Sequence, residues 1–127
     1  MLADSQAVAF VAVANLARAR TFYEGLLKLT PVSADQYGVV VAAGGVQVRI
    51  TQPPQRIPAA YTVLGFAVSD IEAKVAALGA AGVRFERYEF LGEAQAANGV
   101  WTTPDGGKVA WFKDPDDNLL SLSQPAP

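Results

Sequence analysis

The chemistry open to this 127-residue chain is narrowed by two absences, because it contains no histidine and no cysteine. Histidine is the usual acid or base near neutral pH, and with cysteine it supplies most ligands for zinc, nickel and iron. What remains is carboxylates, Arg, Lys, Tyr and Ser. Among these, Arg49 lies in a β-prone run and carries a planar fork that matches carboxylate or phosphate oxygens. The same charge at a strand end could instead pair with a glutamate or simply reach solvent. Trp101 and the adjacent Trp111 and Phe112 offer rings on which a planar ligand could stack, or ordinary core packing. Strand alternation sends Trp111 and Phe112 to opposite faces, so only one of the two can meet a ligand. Glu86, Glu89 and Glu93 are the carboxylates placed to act as a general base. Gly106-Gly107 lacks the strand-to-helix setting of a phosphate cradle and reads as a turn.

These residues need elements to position them. Residues 7–13 form a continuous β-prone run, after which Asn15 offers a side-chain oxygen to cap a helix running to about 27, with Leu16, Ala19, Phe22, Tyr23 and Leu26 on one stripe. Strands are expected at 30–34, 39–43 and 46–52, the last two joined by Gly44-Gly45. Pro53 and Pro54 cannot donate to a sheet ladder and open a connector to about residue 60. The order then restarts. A strand over 61–68 leads to a helix for which Ser69 and Glu72 make a capping box, with Ile71, Val75 and Leu78 inward and Gly79 and Gly82 at its end. Further strands are expected at 84–90, 100–103, 108–113 and 119–124. The stretch 89–99 reads as a surface loop that could serve as a lid.

The repetition is visible in residues as well as in order. Val13-Ala14-Asn15-Leu16 is matched 55 positions later by Val68-Ser69-Asp70-Ile71. Arg49-Ile50-Thr51-Gln52-Pro53 is matched 72 positions later by Ser121-Leu122-Ser123-Gln124-Pro125, a longer loop accounting for the difference. The expected fold is therefore α+β, built from two βαβββ modules over residues 1–58 and 59–127 within a single domain.

A duplicated βαβββ module with Asn15-Leu16 followed by Phe22-Tyr23, and with Phe112-Lys113-Asp114-Pro115-Asp116-Asp117-Asn118-Leu119 before the last strand, resembles the vicinal oxygen chelate superfamily. That superfamily includes glyoxalase I, extradiol dioxygenases, and the fosfomycin- and bleomycin-resistance proteins, and the resemblance implies a mixed sheet from two modules curled around a cleft. The resemblance implies a metal ligand, usually His, Glu or Gln, on the first and last strand of each module. Here those four positions fall on Val8, Arg49, Val63 and Ser121, which bind no divalent ion between them, so neither a metal nor another cofactor is expected. Arg49 would then supply the positive charge that the metal otherwise gives. The ligand-binding residues expected on the cleft face are Phe10, Gln47, Arg49, Trp101, Trp111 and Ser121. Leu119 is expected on that face too, while Val11, Val13, Val48, Ile50, Leu64, Phe66, Val68, Leu120 and Leu122 form the core.

Composition removes other classes. Ten basic and twelve acidic side chains give a net charge of −2, which creates no field for a nucleic-acid backbone. No apolar run approaches the roughly 20 residues of a membrane span, and the first residues lack the pattern of a signal peptide, so a cytoplasmic protein without membrane or nucleic-acid partners is expected, while the family resemblance, in which small members pair to bury apolar edges, implies a homodimer. The leading reading is a metal-free protein that sequesters or carries a small, partly aromatic and anionic molecule. Its rival is a metal-independent lyase or isomerase with a carboxylate base and Arg49 stabilising negative charge. A third is a partner-binding or sensor domain without a small ligand.

Overall fold

A computed structural model describes all residues, 1–127. Its chain divides into two compact units, Met1–Pro58 and Ala59–Pro127. The first unit runs β1 (Val8–Ala12), α1 (Leu16–Arg20), a π-helical turn (Thr21–Leu26), β2 (Thr30–Asp35), β3 (Gly38–Ala43) and β4 (Val46–Thr51). The second runs β5 (Thr62–Ala67), α2 (Ile71–Ala80), a 3₁₀ segment (Glu89–Ala94), β6 (Trp101–Thr102), β7 (Lys108–Lys113) and β8 (Leu119–Gln124). Each unit holds one four-stranded mixed sheet, ordered β1-β4-β3-β2 and β5-β8-β7-β6, so the class is α+β with two βαβββ sheets.

The internal repeat is carried by hydrogen bonds. In the first unit Val13 N donates to Thr51 O at 2.8 Å, and in the second Val68 N donates to Ser123 O at the same distance. Leu16 N donates to the side chain of Gln52 (3.0 Å), and its counterpart Ile71 N donates to that of Gln124 (2.8 Å). Asn15 Oδ1 caps α1 by accepting from Arg18 N (3.0 Å), and Asp70 Oδ1 caps α2 by accepting from Ala73 N (3.1 Å). Each helix N-terminus thus receives one acceptor from its own cap and another from the end of the last strand, which satisfies donors a helix leaves open.

That geometry corrects the capping box read from the sequence. The cap is Asp70, not Ser69, and Glu72 instead accepts from Asn98 Nδ2 (2.8 Å) and lies 3.6 Å from Lys108 Nζ. We expect Asp70→Ala to lower stability by about 1 kcal/mol and Ser69→Ala to stay within about 0.5 kcal/mol. Urea denaturation of both variants checks this, and the reverse ranking would restore the sequence-based cap.

The first helix also differs in kind. The α-helix stops at Arg20 and continues as the π turn, with Leu27 N donating to Phe22 O at 2.8 Å, five residues back. The wider turn lets two consecutive aromatic residues, Phe22 and Tyr23, both be buried, their rings edge to face at 5.1 Å. The strand expected over 84–90 does not form: only Phe85 bridges to Phe112. Beyond it, Glu86 N donates to Trp111 O, but Tyr88 N is taken by the Gln95 side chain, and the ladder ends there.

Alternation divides each sheet as expected on most rungs. Val11, Val13, Val48, Ile50, Leu120 and Leu122 are buried, while Phe10, Arg49, Gly65 and Ser123 are exposed. Leu64, Phe66 and Val68 are half-buried. Two rungs depart. The β5–β8 register shifts between Thr62 and Leu64, so Thr62 and not Val63 stands opposite Leu119, and Val63 has no partner in the ladder. Leu119 is buried, although it pairs with Lys113 and so shares the face of Ser121 two rungs on.

Candidate functional site

The open face of each sheet carries a row of three residues at equivalent places. In the first unit Phe10 on β1 pairs with Arg49 on β4, which pairs with Val40 on β3. In the second, Gly65 on β5 pairs with Ser121 on β8, which pairs with Trp111 on β7. Each row combines one aromatic, one polar and one small residue, with the aromatic end reversed between the two.

In the first row the Arg49 guanidinium carbon lies 5.8 Å from the Phe10 ring centroid, and Phe10 is 61% exposed. A cation over an aromatic face keeps its N–H edges available for an anion while its flat face is covered. The alternative of an ion pair with glutamate is not what the structure forms; the ring is the partner. Gln47, half-buried, stands two rungs away opposite Val8, and Ala42 flanks it on β3.

The second row supports a larger assembly. Trp111 is half-buried on the open face, and its neighbour Phe112 is fully buried, which settles which ring faces outward. Trp101 pairs directly with Val109 on β7 and reaches diagonally to Trp111, the two indoles stacked with centroids 6.0 Å apart at 25°. Tyr88 meets Trp111 edge to face at 5.4 Å, and Phe90, 85% exposed, lies 5.6 Å from Tyr88. Beside them a Cβ on Gly65 would come within 2.9 Å of Ser121 Oγ, so the missing side chain leaves a shallow floor next to the rings.

Burial pushes the Tyr88 phenol above its usual value, the Glu86 carboxylate adding to the effect against Lys113. Tyr88 therefore stays a neutral O–H donor at physiological pH. Glu86 itself lies 3.4 Å from Lys113 Nζ, while Glu89 and Glu93 are exposed.

Of the six residues expected from the sequence, the structure brings Phe10 and Arg49 into contact in one unit, and Trp101, Trp111 and Ser121 onto one face in the other. Gln47 lies beside the first group without touching it. Tyr88 and Phe90 were missed. The signal for them is the alternation of Glu86, Tyr88 and Phe90 along the expected strand, which puts two aromatic rings on the same face as the carboxylate. The stretch 89–99 is not a free lid, since it holds a 3₁₀ segment and the buried side chain of Gln95.

The donor set does not fit a divalent ion. Strands β1, β4, β5 and β8 carry no carboxylate, imidazole or thiolate, and the four ligand positions hold two valines, a guanidinium and one hydroxyl. No helix is long and apolar enough to cross a membrane.

Solved structures share this fold. A glyoxalase family protein from Enterococcus faecalis is 19% identical, with 97% of this chain and 99% of that chain covered and a TM-score of 0.75. TnmS3, an antibiotic binding protein from Streptomyces sp. CB03234, is 22% identical over 96% and 98%, with a TM-score of 0.71. The fosfomycin resistance protein FosX from Mesorhizobium loti is 17% identical over 96% and 92%, with a TM-score of 0.67. No curated protein sequence matches the chain. The family model for the Glyoxalase/Bleomycin resistance protein/Dioxygenase superfamily matches residues 5–122, and with that match the chain belongs to this superfamily.

Proposed function

We propose that this protein binds a small molecule bearing a planar aromatic part and an anionic group, and holds it without a metal ion. The observation that carries the reading is the pair of stacked indoles, half-buried on an open sheet face with Tyr88 against one of them. A closed core would bury such rings, whereas rings held rigidly at a surface present contact area at low entropic cost. In the first unit, Arg49 on Phe10 sets a cation beside an aromatic ring, a pairing that by itself suits the same ligand chemistry. The fold it shares with an antibiotic binding protein is consistent with carriage or sequestration of a ligand. The rival, a metal-independent enzyme, loses one of its three candidate bases, because the Glu86 carboxylate is engaged by Lys113. The working form is proposed to be a cytoplasmic homodimer without nucleic-acid partners; a monomer in light scattering at high concentration would remove the dimer.

Both tryptophans of the chain, Trp101 and Trp111, belong to the stacked pair, so intrinsic fluorescence reports on the site alone. Native mass spectrometry of freshly purified protein should show a retained organic molecule and no metal. Titration with naphthoate should quench the emission more strongly than titration with neutral naphthalenemethanol. Equal quenching would sink the anionic half of the reading, and about one metal per chain would sink the metal-free half. Arg49→Met should weaken calorimetric binding of naphthoate at the Arg49–Phe10 row of the first unit about ten- to a hundredfold, the effect of losing one charge-assisted hydrogen bond, with an unchanged melting temperature. Affinity at that row within about twofold of the parent would remove Arg49 from ligand binding.

A further inference from the structure

Three backbone groups around the aromatic face converge on one buried side chain. Gln95 is 4% exposed. Its Oε1 accepts from Tyr88 N at 2.8 Å, and its Nε2 donates to Glu86 O at 2.9 Å and to Gly99 O at 3.0 Å. Its backbone forms an isolated bridge to Trp101. The amide thus uses both hydrogens and its oxygen, and it ties together the residues that flank the rings from two directions. On one side stand Glu86 and Tyr88, the latter with its ring on Trp111. On the other stand Gly99 and Trp101, which belongs to a strand of only two residues.

This division of labour is chemically narrow. A buried amide can accept one bond and donate two at once, which neither a carboxylate nor a thioether can do. Without it, one N–H and two carbonyls would be left buried or would have to turn toward water, and turning them would move Tyr88 and Trp101. Gly99, at φ +95°, closes the turn where a Cβ would come within 2.7 Å of Phe85 Cβ, so only glycine fits there. Asn98 Oδ1 accepts from Val100 N at 3.0 Å and holds the same turn.

We propose that Gln95 is the positioning residue of the aromatic platform: its buried amide holds Tyr88, and the Gly99 turn that leads into Trp101, in place around Trp111, so that the ligand-binding face is formed before any ligand arrives. The claim rests on the platform being the binding face, and its test separates the two. Stacked indoles couple their electronic transitions and give a paired positive and negative band in the circular dichroism spectrum, which reads platform geometry in the ligand-free chain.

In the full-length protein, Gln95→Met should collapse that paired band, shift tryptophan emission to longer wavelength, and weaken naphthoate binding by about tenfold or more. Val75→Ala, a core change in α2 of the same unit, should lower the melting temperature yet leave the paired band and the naphthoate affinity intact. A Gln95→Met protein that keeps the band, or a Val75→Ala protein that loses it equally, would overturn the proposal. Should Gln95→Met fail to fold, Gln95→Glu decides: its carboxylate lacks the donors, but protonation restores one donor beside one acceptor. The paired band should then be weak at neutral pH and recover on acidification, whereas no recovery would overturn the proposal. If the parent protein takes up no naphthoate while the band still follows Gln95, the binding reading fails and the positioning role stands.

Discussion

Phe112→Ala should cost the fold about 3–5 kcal/mol, while the adjacent Trp111→Ala should leave a folded protein that has lost its aromatic ligand. The two residues sit side by side on β7 and point to opposite faces. Phe112 has no exposed surface and packs edge to face on Phe85 at 5.5 Å, so its removal opens a cavity that the sheet cannot refill. Trp111 is half-buried and touches two rings, Trp101 and Tyr88, on the open side. Losing it forfeits those two contacts, about 1–2 kcal/mol of stability together. It also removes the centre of the platform, where truncation of an aromatic anchor typically costs 2 kcal/mol or more of binding, about thirtyfold in affinity. Urea denaturation and naphthoate titration of both variants check the separation. Equal stability losses would mean that Trp111 is core, and unchanged affinity would mean that the ligand binds elsewhere.

That separation was half legible in the sequence. Alternation requires Trp111 and Phe112 to face oppositely but does not say which is inside, because both are large and apolar. The internal repeat would have broken the tie. The offset that relates Arg49 to Ser121 fixes Ser121 on the open face, and the residue opposite Ser121 in an antiparallel pair shares its face. That residue is Trp111, once the five-residue turn between β7 and β8 is known. The repeat extends to the rows of the two sheets, since Phe10 stands opposite Arg49 as Gly65 stands opposite Ser121.

What the sequence concealed shares one physical cause, competition for backbone hydrogen bonds by groups distant along the chain. Residues 84–90 have the composition of a strand, and the first rungs do form at Phe85 and Glu86. The ladder ends because a glutamine seven residues further on takes the Tyr88 N–H. No local propensity records such a bond. The bulge at Val63 is similar, since a β-branched residue in a β-prone run carries no mark of a register shift, yet the shift leaves Val63 without a partner and sets Thr62 opposite Leu119. The helix cap erred differently. Ser69 and Asp70 both make good caps, and the choice fell to Asp70 because Gln124, at the end of β8, takes the N–H of Ile71 and so fixes where the helix begins.

Asp114→Ala should be among the most damaging polar substitutions in the chain, lowering stability by about 3 kcal/mol or more. Asp114 is 4% exposed and opens the turn between β7 and β8. Its Oδ1 accepts from Asp116 N at 2.8 Å and Asn118 N at 2.9 Å, and its Oδ2 accepts from Asn118 Nδ2 at 2.8 Å. Alanine would leave three buried donors without that acceptor, each carrying a desolvation penalty of about 1 kcal/mol or more. Pro115 cannot donate and follows Asp114 directly, so the carboxylate and not the backbone alone shapes the turn. Asp114→Asn should fall between the parent and the alanine variant. Its oxygen can still serve Asp116 and Asn118 N–H, but its amide then faces the donor of Asn118. Asp117 sits at φ +65°, where glycine is at ease, so Asp117→Gly in the same turn should not lower stability. The consequence reaches the site, because this turn sets the pairing of Lys113 with Leu119 and, two rungs on, of Trp111 with Ser121. Denaturation midpoints should therefore rank Asp117→Gly no lower than the parent, then Asp114→Asn, then Asp114→Ala, with the paired indole band of Asp114→Ala weakened even where the chain remains folded. A loss below about 1 kcal/mol for Asp114→Ala, with the band intact, would show that the turn holds its register without the carboxylate.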